Sequence, residues 1–368
     1  MVQPETSHDF KYVAIRKWIV KNIENNDFKH GDKLPSENLM CNKFAISRQT
    51  VRNAISELEK EGIVKRVRGS GTYVAKTLKE MHNNTVGVLL SYLNDYIFPS
   101  ILQGIEETLT VEGFGMDLGI TYNKLEQERR FLERMLTSNI SGLIVEGTKT
   151  GLPNPNIHLY EEFIRRKIPV IFIHNYYSGL RCPSVLIDDV GCAKKLTQIL
   201  IEAGHTDIAG FFKFDDMQGQ RRYEGYVKAL TEAEIPINEE IIGWFSNNSR
   251  ESLFKYPSYP ILDNISKCSA IMCYNDQLAS KMYSYFNKNG IKIPDDISMV
   301  GFDDSLSSPI THMELTTVRH PKKELGKVAA QRLMKMIQNG VDCISCEPML
   351  MDAAIVMRSS VKNLNSTQ

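Results

Sequence analysis

No stretch of this 368-residue chain approaches the roughly 18 consecutive apolar residues that a bilayer crossing requires, and no apolar run follows Met1 as an export leader would demand. Neither a membrane span nor a signal peptide is expected. Cysteine is sparse: Cys41, Cys182, Cys192, Cys268, Cys273, Cys343 and Cys346 are odd in number and scattered, which argues against a secreted disulfide framework and for a reducing cytoplasm. Short-period repeats and low-complexity tracts are also missing. What remains, at 42% hydrophobic and 24% charged residues, is the composition of a globular chain long enough for at least two domains.

Net charge is absent too, but the balance conceals an asymmetry. Residues 1–84 hold 15 Lys and Arg against 10 Asp and Glu, a net +5, which leaves −5 for the remainder. A basic segment on an acidic chain suits a polyanion partner for that segment alone, because phosphates are neutralised by local charge. Between Phe10 and Asn25, Tyr12, Ile15, Ile19 and Ile23 recur at three- and four-residue spacing, which predicts a helix with one buried face. Ser36 offers a cap oxygen and Glu37 a first-turn acid ahead of Leu39, Met40 and Phe44, so a short second helix is expected. Ser47 caps a third, in which Val51, Ala54, Ile55 and Leu58 share one face while Arg48, Gln49, Arg52 and Asn53 lie on another. Gly62 stops it, and the segments 63–67 and 72–75 flank Arg68-Gly69-Ser70-Gly71 as a β-hairpin with a glycine-rich tip. Three helices and a hairpin make a winged helix-turn-helix over residues 1–76.

In such a unit the third helix enters the major groove, so long donors are needed at its start. Arg48, Gln49 and Arg52 meet that need, and Ser47 or Thr50 can anchor a phosphate. Taken alone, the segment is equally an amphipathic helix with a solvated basic face. The hairpin tips the balance, because Arg66 and Arg68 beside Gly69 and Gly71 put guanidinium groups where backbone can approach phosphate or minor groove closely. Leu34-Pro35-Ser36-Glu37, Phe44-Ala45-Ile46-Ser47-Arg48-Gln49-Thr50-Val51-Arg52, Leu58-Glu59-Lys60-Glu61-Gly62-Ile63-Val64 and Gly69-Ser70-Gly71-Thr72-Tyr73-Val74 closely resemble the GntR-type winged helix. The resemblance implies that Ser36, Glu37, Asn38, Arg48, Gln49, Thr50, Arg52, Arg68 and Gly69 lie nearest DNA.

Residues 77–84 are polar and read as a linker. Beyond them, the short apolar runs 85–90, 142–145 and 169–173 alternate with helix-like stretches at 99–112, 125–137 and 158–166. After Asp188 the rhythm resumes: helix 190–203, strand 207–212, helix 219–233, strands 241–245 and 270–273, helix 276–289. Such runs predict parallel strands buried on both faces, hence an α/β fold in two successive halves, with strand 298–302 and helix 322–338 fitting either half.

Ile140-Ser141-Gly142-Leu143-Ile144-Val145, Ala203-Gly204-His205-Thr206-Asp207-Ile208-Ala209, Arg222-Tyr223-Glu224-Gly225-Tyr226, Ala270-Ile271-Met272-Cys273-Tyr274-Asn275-Asp276, Ser298-Met299-Val300-Gly301-Phe302-Asp303-Asp304 and Leu315-Thr316-Thr317-Val318-Arg319-His320-Pro321 resemble the effector-binding core of the LacI/GalR repressors. The resemblance implies two Rossmann-like lobes of the type I periplasmic-binding-protein kind over 85–368, serving effector binding and dimerisation. Sugars need planar hydrogen-bonding groups for vicinal hydroxyls and an aromatic face for C–H surface. By the matched motifs Arg222 and Asp276 bind hydroxyls and Trp244 and His320 contact ligand, while Tyr96, Phe98, Glu146 and His174 follow strand ends of the first lobe, where open α/β sheets bind ligands. The alternatives stand beside these roles: an interlobe ion pair for Arg222 and Asp276, a satisfied interior position for His174, and core packing for Trp244 and Phe245.

Cys343-Ile344-Ser345-Cys346 supplies two ligands where structural zinc needs four, Gly69-Ser70-Gly71 precedes a strand and not a phosphate-binding helix, and no nucleophile adjoins a base. No metal, cofactor or catalytic group is therefore expected. A GntR-type head on a LacI/GalR-type body resembles the arabinose repressors of Gram-positive bacteria. That implies a cytoplasmic homodimer on a pseudo-palindromic operator, released by L-arabinose; a repressor of different sugar specificity, a non-regulatory sugar-binding protein and a sugar-processing enzyme are the alternatives.

Overall fold

The computed structural model describes residues 7–24, 27–60, 62–75, 84–93, 97–247, 249, 264–265, 267–305 and 314–367. Most of the expected linker, along with Tyr96, lies outside them. The chain divides into two compact units, Met1–Asn84 and Thr85–Gln368.

In the first unit, α1 (Ser7–Glu24), α2 (Glu37–Phe44) and α3 (Arg48–Lys60) precede the antiparallel pair β1 (Val64–Val67) and β2 (Gly71–Val74). The apolar spacing dictates the packing: Ile15, Ile19 and Ile23 of α1 meet Val51, Ala54, Ile55 and Leu58 of α3, and Val64 and Val74 close the cluster. Ser36 caps α2 by accepting from the Leu39 amide, and Gly62 ends the α3 segment at φ 69°, where only a residue without a Cβ is comfortable. Leu39, expected to pack, is 62% exposed, because Met40 and Phe44 already fill the inward side of this two-turn helix.

The second unit is α/β throughout. Its first lobe holds β3 (Thr85–Leu90), α4 (Phe98–Val111), β4 (Gly115–Ile120), α5 (Leu125–Thr137), β5 (Gly142–Val145), α6 (Ile157–Arg165), β6 (Val170–Ile173) and β7 (Ser184–Ile187). The second holds α7 (Asp189–Glu202), β8 (Ile208–Lys213), α8 (Met217–Glu232), β9 (Ile242–Phe245), β10 (Ala270–Cys273), α9 (Asp276–Lys288), β11 (Ser298–Phe302) and β12 (Thr316–Arg319). Then α10 (Lys322–Asn339) and β13 (Met349–Met351) return to the first lobe, and β14 (Ala354–Val356) closes the second.

Strand order is β13-β7-β6-β5-β3-β4 in one sheet and β14-β12-β11-β10-β8-β9 in the other, all parallel except β14. The two halves are therefore not successive in the chain. Strand 298–302 completes the second lobe, while the helix after it covers the first, its Leu325, Ala329, Ala330 and Leu333 packing on Ile144, Ile171 and Val185. In each sheet the first strand (β3, β8) pairs with strands leaving in opposite directions (β4 and β5; β9 and β10), which opens a crevice at its carboxyl end. Among the described residues no helix is long and apolar enough to cross a membrane.

The return of α10 depends on two glycines. A Cβ on Gly104 of α4 would stand 2.1 Å from the Lys323 carbonyl oxygen, and one on Gly326 of α10 would stand 2.1 Å from the Ile101 carbonyl oxygen, so the helices meet backbone to backbone. Gly326→Val should cost about 2–3 kcal/mol by overpacking. Urea unfolding of the full chain followed by tryptophan fluorescence and circular dichroism would show it; an unchanged midpoint would contradict this packing.

Candidate functional site

In the first unit, Ser47 ends the turn before α3, its Oγ accepting from the Thr50 amide at 3.2 Å and lying 2.9 Å from the Thr50 hydroxyl. That exchange answers for Thr50: at 5% exposure its hydroxyl is committed to the cap, so the expected phosphate anchor falls to the exposed Ser47 alone. Arg48, Gln49 and Arg52 are exposed along α3; Gln49 Nε2 donates to Asn53 Oδ1, and Arg52 Nε donates to Glu37 Oε2 at 2.9 Å. A solvated ion pair of this kind is weak and can be exchanged for a base or phosphate contact. Ser36 and Asn38 are exposed at the start of α2. Arg66 folds back, Nη2 donating to the Arg52 carbonyl and Nη1 sitting 3.6 Å from Glu59, which braces the hairpin on α3 more than it reaches outward. Arg48 and Arg68 have no side-chain partner among the described residues. Gly69 and Gly71 hold φ of 77° and 136°, and a Cβ on Gly71 would stand 2.7 Å from Lys33 Cε. Of the arginines expected at DNA, the exposed Arg48 and Arg52 thus lie on the first half of α3 and Arg68 on the hairpin tip.

In the second unit, a cleft of about 710 Å³, its open mouth included, lies where the carboxyl ends of the two sheets face each other. The first lobe contributes Ser91 and Tyr92 after β3, Phe98 at the start of α4, Asn123 before α5, Glu146 and Lys149 after β5, and Asn175 after β6. The second contributes Lys213 at the end of β8 and Asp216 after it, Arg222 of α8, Phe245 of β9, Tyr274 and Asn275 after β10, and Asp303 after β11.

Arg222 is the most constrained of these groups. Only 1% exposed, it donates to Asp189 Oδ1 at 2.8 Å and to the Tyr274 carbonyl at 2.6 Å, with its guanidinium 4.0 Å from the Phe302 ring centroid. Burial opposes its charge, but the carboxylates of Asp189 and then Asp303 outweigh that and hold its pKa above the ordinary value. Lys213 is arranged alike: burial works against it, yet Asp216 at 2.8 Å and Asp215 at 3.7 Å raise its pKa. Tyr274 donates its phenol proton to Asp216, and burial followed by that carboxylate keeps the phenol protonated. Glu146 accepts from the Ser91 amide at 2.8 Å and faces His174 Nδ1 at 3.2 Å.

Phe98, Glu146 and Arg222, expected at a ligand site, therefore meet in one cleft. His174 and His320 stand behind its wall, ring centroids 4.9 Å apart across the lobes, and neither lines it. Burial above all, then His174, Arg222 and Lys322, keeps His320 neutral by pushing its pKa well below the usual imidazole value. Asp276 also lies behind the wall, accepting from Thr317 Oγ1 and the Ser305 amide. Trp244 is a correction: on alternating β9 its ring faces Tyr223 and Phe212 on the far side of the sheet, and its neighbour Phe245 lines the cleft. Asn123, Lys213, Asp216, Tyr274, Asn275 and Asp303 were missed. For Lys213 and Asn275 a signal existed, because the strand-end rule applied to β3, β5 and β6 holds equally for β8 and β10.

The walls offer charge-paired donors and acceptors together with the ring surfaces of Tyr92, Phe98 and Phe245, chemistry suited to a small polyhydroxylated molecule with apolar C–H faces.

Two family models match the chain: "Bacterial regulatory proteins, gntR family" over residues 11–74 and "Periplasmic binding protein-like domain" over 197–361. The "Arabinose metabolism transcriptional repressor" of Geobacillus stearothermophilus is 37% identical over 359 residues, 96% of this chain and 98% of that one. Its namesake from Halalkalibacterium halodurans is 36% identical over 341 residues, 91% and 90% of the two chains. Among solved structures, the transcription regulator CcpA of Lactococcus lactis aligns with a TM-score of 0.66 at 24% identity over 76% of this chain and 99% of that one, a likeness of fold.

Burial first and Asp303 second push the Asp276 carboxyl up to about 7. An acid raised in this way favours the folded state most below its unfolded pKa of about 3.9, and the advantage is lost as pH rises through its folded value. Carbon-13 NMR of the Asp276 carboxyl across pH 3–9 should give a midpoint near 7; an ordinary carboxylate midpoint of about 4 would contradict this burial.

Proposed function

The chain belongs to the family of arabinose metabolism transcriptional repressors, with a GntR-type head on a periplasmic-binding-protein-like body, and from that premise we propose that its effector is L-arabinose, bound in the interlobe cleft. It is a sugar-responsive, DNA-binding transcriptional repressor and not an enzyme. The observation that carries the effector reading is the cleft itself: Arg222, Lys213 and Asp216 are fixed by their counter-charges and by Tyr274 before any ligand arrives, with Phe98 and Phe245 beside them. Its two buried cations, Arg222 and Lys213, already having carboxylates, the site favours a neutral polyol over an anionic ligand.

In this reading the protein works in the cytoplasm as a homodimer. Its two heads occupy a pseudo-palindromic operator with half-sites one helical turn, or a multiple of it, apart. Arg48, Gln49 and Arg52 meet base edges, Ser36, Glu37, Asn38 and Ser47 set the approach of α2 and α3 to the backbone, and Arg68 with Gly69 and Gly71 carries the wing to the adjacent groove. Glu146, Phe98 and Arg222 contact the sugar, and His174, Asp276 and His320 hold the walls from behind. L-arabinose releases the operator because it binds one arrangement of the lobes better than the other; equal affinity for both would shift nothing.

Two variants separate the two halves of this scheme. Arg52→Ala should weaken operator binding by about 10- to 100-fold, the value of one good bidentate base contact, in a mobility-shift assay on the region upstream of the gene. Unchanged affinity with an intact circular-dichroism spectrum would reject the placement of α3. Arg222→Ala combined with Asp189→Asn, which leaves no lone buried charge, should bind operator normally and no longer release it with L-arabinose; retained release would reject the cleft as the effector site. A panel of other pentoses and of hexoses run beside the wild type identifies the effector if L-arabinose fails.

A further inference from the structure

Glu128 is a carboxyl of the first lobe whose hydrogen-bond partners are neither solvent nor cation. It lies on α5, fully buried, and its oxygens accept five hydrogen bonds. The donors are the Thr148 amide at 3.3 Å, Asn154 Nδ2 at 2.7 Å, Asn156 Nδ2 at 2.8 Å, Tyr160 Oη at 2.8 Å and Tyr177 Oη at 2.8 Å. Burial first, and the carboxyl beside them second, hold both phenols well above their ordinary pKa, so they remain donors. Three of the five donors belong to the single segment 147–156, which joins β5 to α6 and has no regular structure to fix its path.

That segment also makes one of the contacts between the lobes, the others including Arg221 with Tyr176, Asn247 with Tyr92 and His174 with His320. Thr150 Oγ1 accepts from the Met217 amide at 3.1 Å, the Gly151 amide donates to the Asp215 carbonyl at 3.3 Å, and the Gly151 carbonyl accepts from Gln220 Nε2 at 3.1 Å. Beside them Asn123 accepts from the Lys149 amide and donates to Asp215 Oδ2. Glu128 itself touches neither the second lobe nor the lining of the cleft. A buried acceptor that has lost its donors, or donors that have lost their acceptor, cannot be rescued by water at no cost, so loss of the carboxyl loosens the segment even though Gly147, Lys149 and Asn156 keep bonds to Asn175, Asn123 and Leu125.

We propose that Glu128 is the positioning residue of this interlobe contact: through Thr148, Asn154 and Asn156 it fixes the path of 147–156, and through Thr150 and Gly151 that path sets how segment 214–220 of the second lobe meets the first. The inference rests on reading the cleft as the effector site in one respect only, that effector affinity depends on this contact.

The test is amide hydrogen exchange by mass spectrometry on the full chain, beside calorimetric titration with L-arabinose. Glu128→Gln turns a donor toward the donating amides of Asn154 and Asn156. It should speed exchange by about tenfold or more in 147–156 and, across the cleft, in 214–220, leaving β5 and β6 protected, and should weaken L-arabinose binding by about tenfold. Tyr177→Phe keeps the ring and removes one donor; it should shift both segments in the same direction by less, and it carries the test if Glu128→Gln fails to fold. Thr150→Val should loosen 214–220 alone and add nothing there when combined with Glu128→Gln. Loosening of 147–156 with 214–220 unchanged, or equal loosening of the whole first lobe, would overturn the proposal and leave Glu128 a structural residue. If wild-type protein gives no heat with L-arabinose, the effector assignment falls, and the exchange comparison still decides the role of Glu128.

Discussion

A guanidinium taken out of water must have its charge answered where it lies, and the second unit is arranged around that requirement at Arg222. The answering carboxyl belongs to Asp189, in the first turn of α7, immediately after β7 hands the chain from one lobe to the other. For the pair to meet, α7 and α8 must pack closely, and they do so because Gly225, one turn beyond Arg222, has no Cβ to strike the Val190 carbonyl oxygen 2.2 Å away. Phe302 of β11 and the Tyr274 carbonyl after β10 complete the enclosure. One interaction therefore fixes the crossover, the packing of two helices and the ends of two strands. Removing either partner alone would leave a buried charge, at a cost of about 3–5 kcal/mol.

The same logic recurs around the cleft at Lys213, Asp216 and Tyr274, and at Glu146 with the Ser91 amide. Polar groups held by one another before a ligand arrives need little reorganisation when it binds, which favours affinity for a molecule matching their spacing. Because the groups come from both lobes, a ligand that bridges them also biases the lobes toward one arrangement. This supplies the differential affinity that a repressor needs if a small molecule is to change its hold on DNA.

Much of this was legible in the sequence where burial is two-sided or periodicity strong. The runs at β3, β5 and β6 could only be interior parallel strands, and the amphipathic spacing of 125–137 gave α5 its limits. Other parts were hidden for physical reasons. Gly115–Ile120 lies at a sheet edge, half exposed, and carries no continuous apolar signal. The return of α10 to the first lobe and the split of β13 and β14 between lobes are long-range choices that no local pattern encodes. Trp244 and Phe245 show the limit at a single residue: adjacent aromatics on a four-residue strand face opposite sides, and the sequence gives no phase to say which side is the cleft. Glu128 left no signal at all, since its five donors come from three separate places in the chain, the segment 147–156, Tyr160 and Tyr177.

The central claim is that occupancy of the cleft and occupancy of DNA are coupled through the full chain, and coupling between two sites is reciprocal. The direct measurement is L-arabinose affinity determined by calorimetry on the free protein and again with saturating operator duplex. The account predicts weaker sugar binding in the operator complex, by the same factor by which saturating L-arabinose weakens operator binding. Equal sugar affinity with and without operator would contradict it.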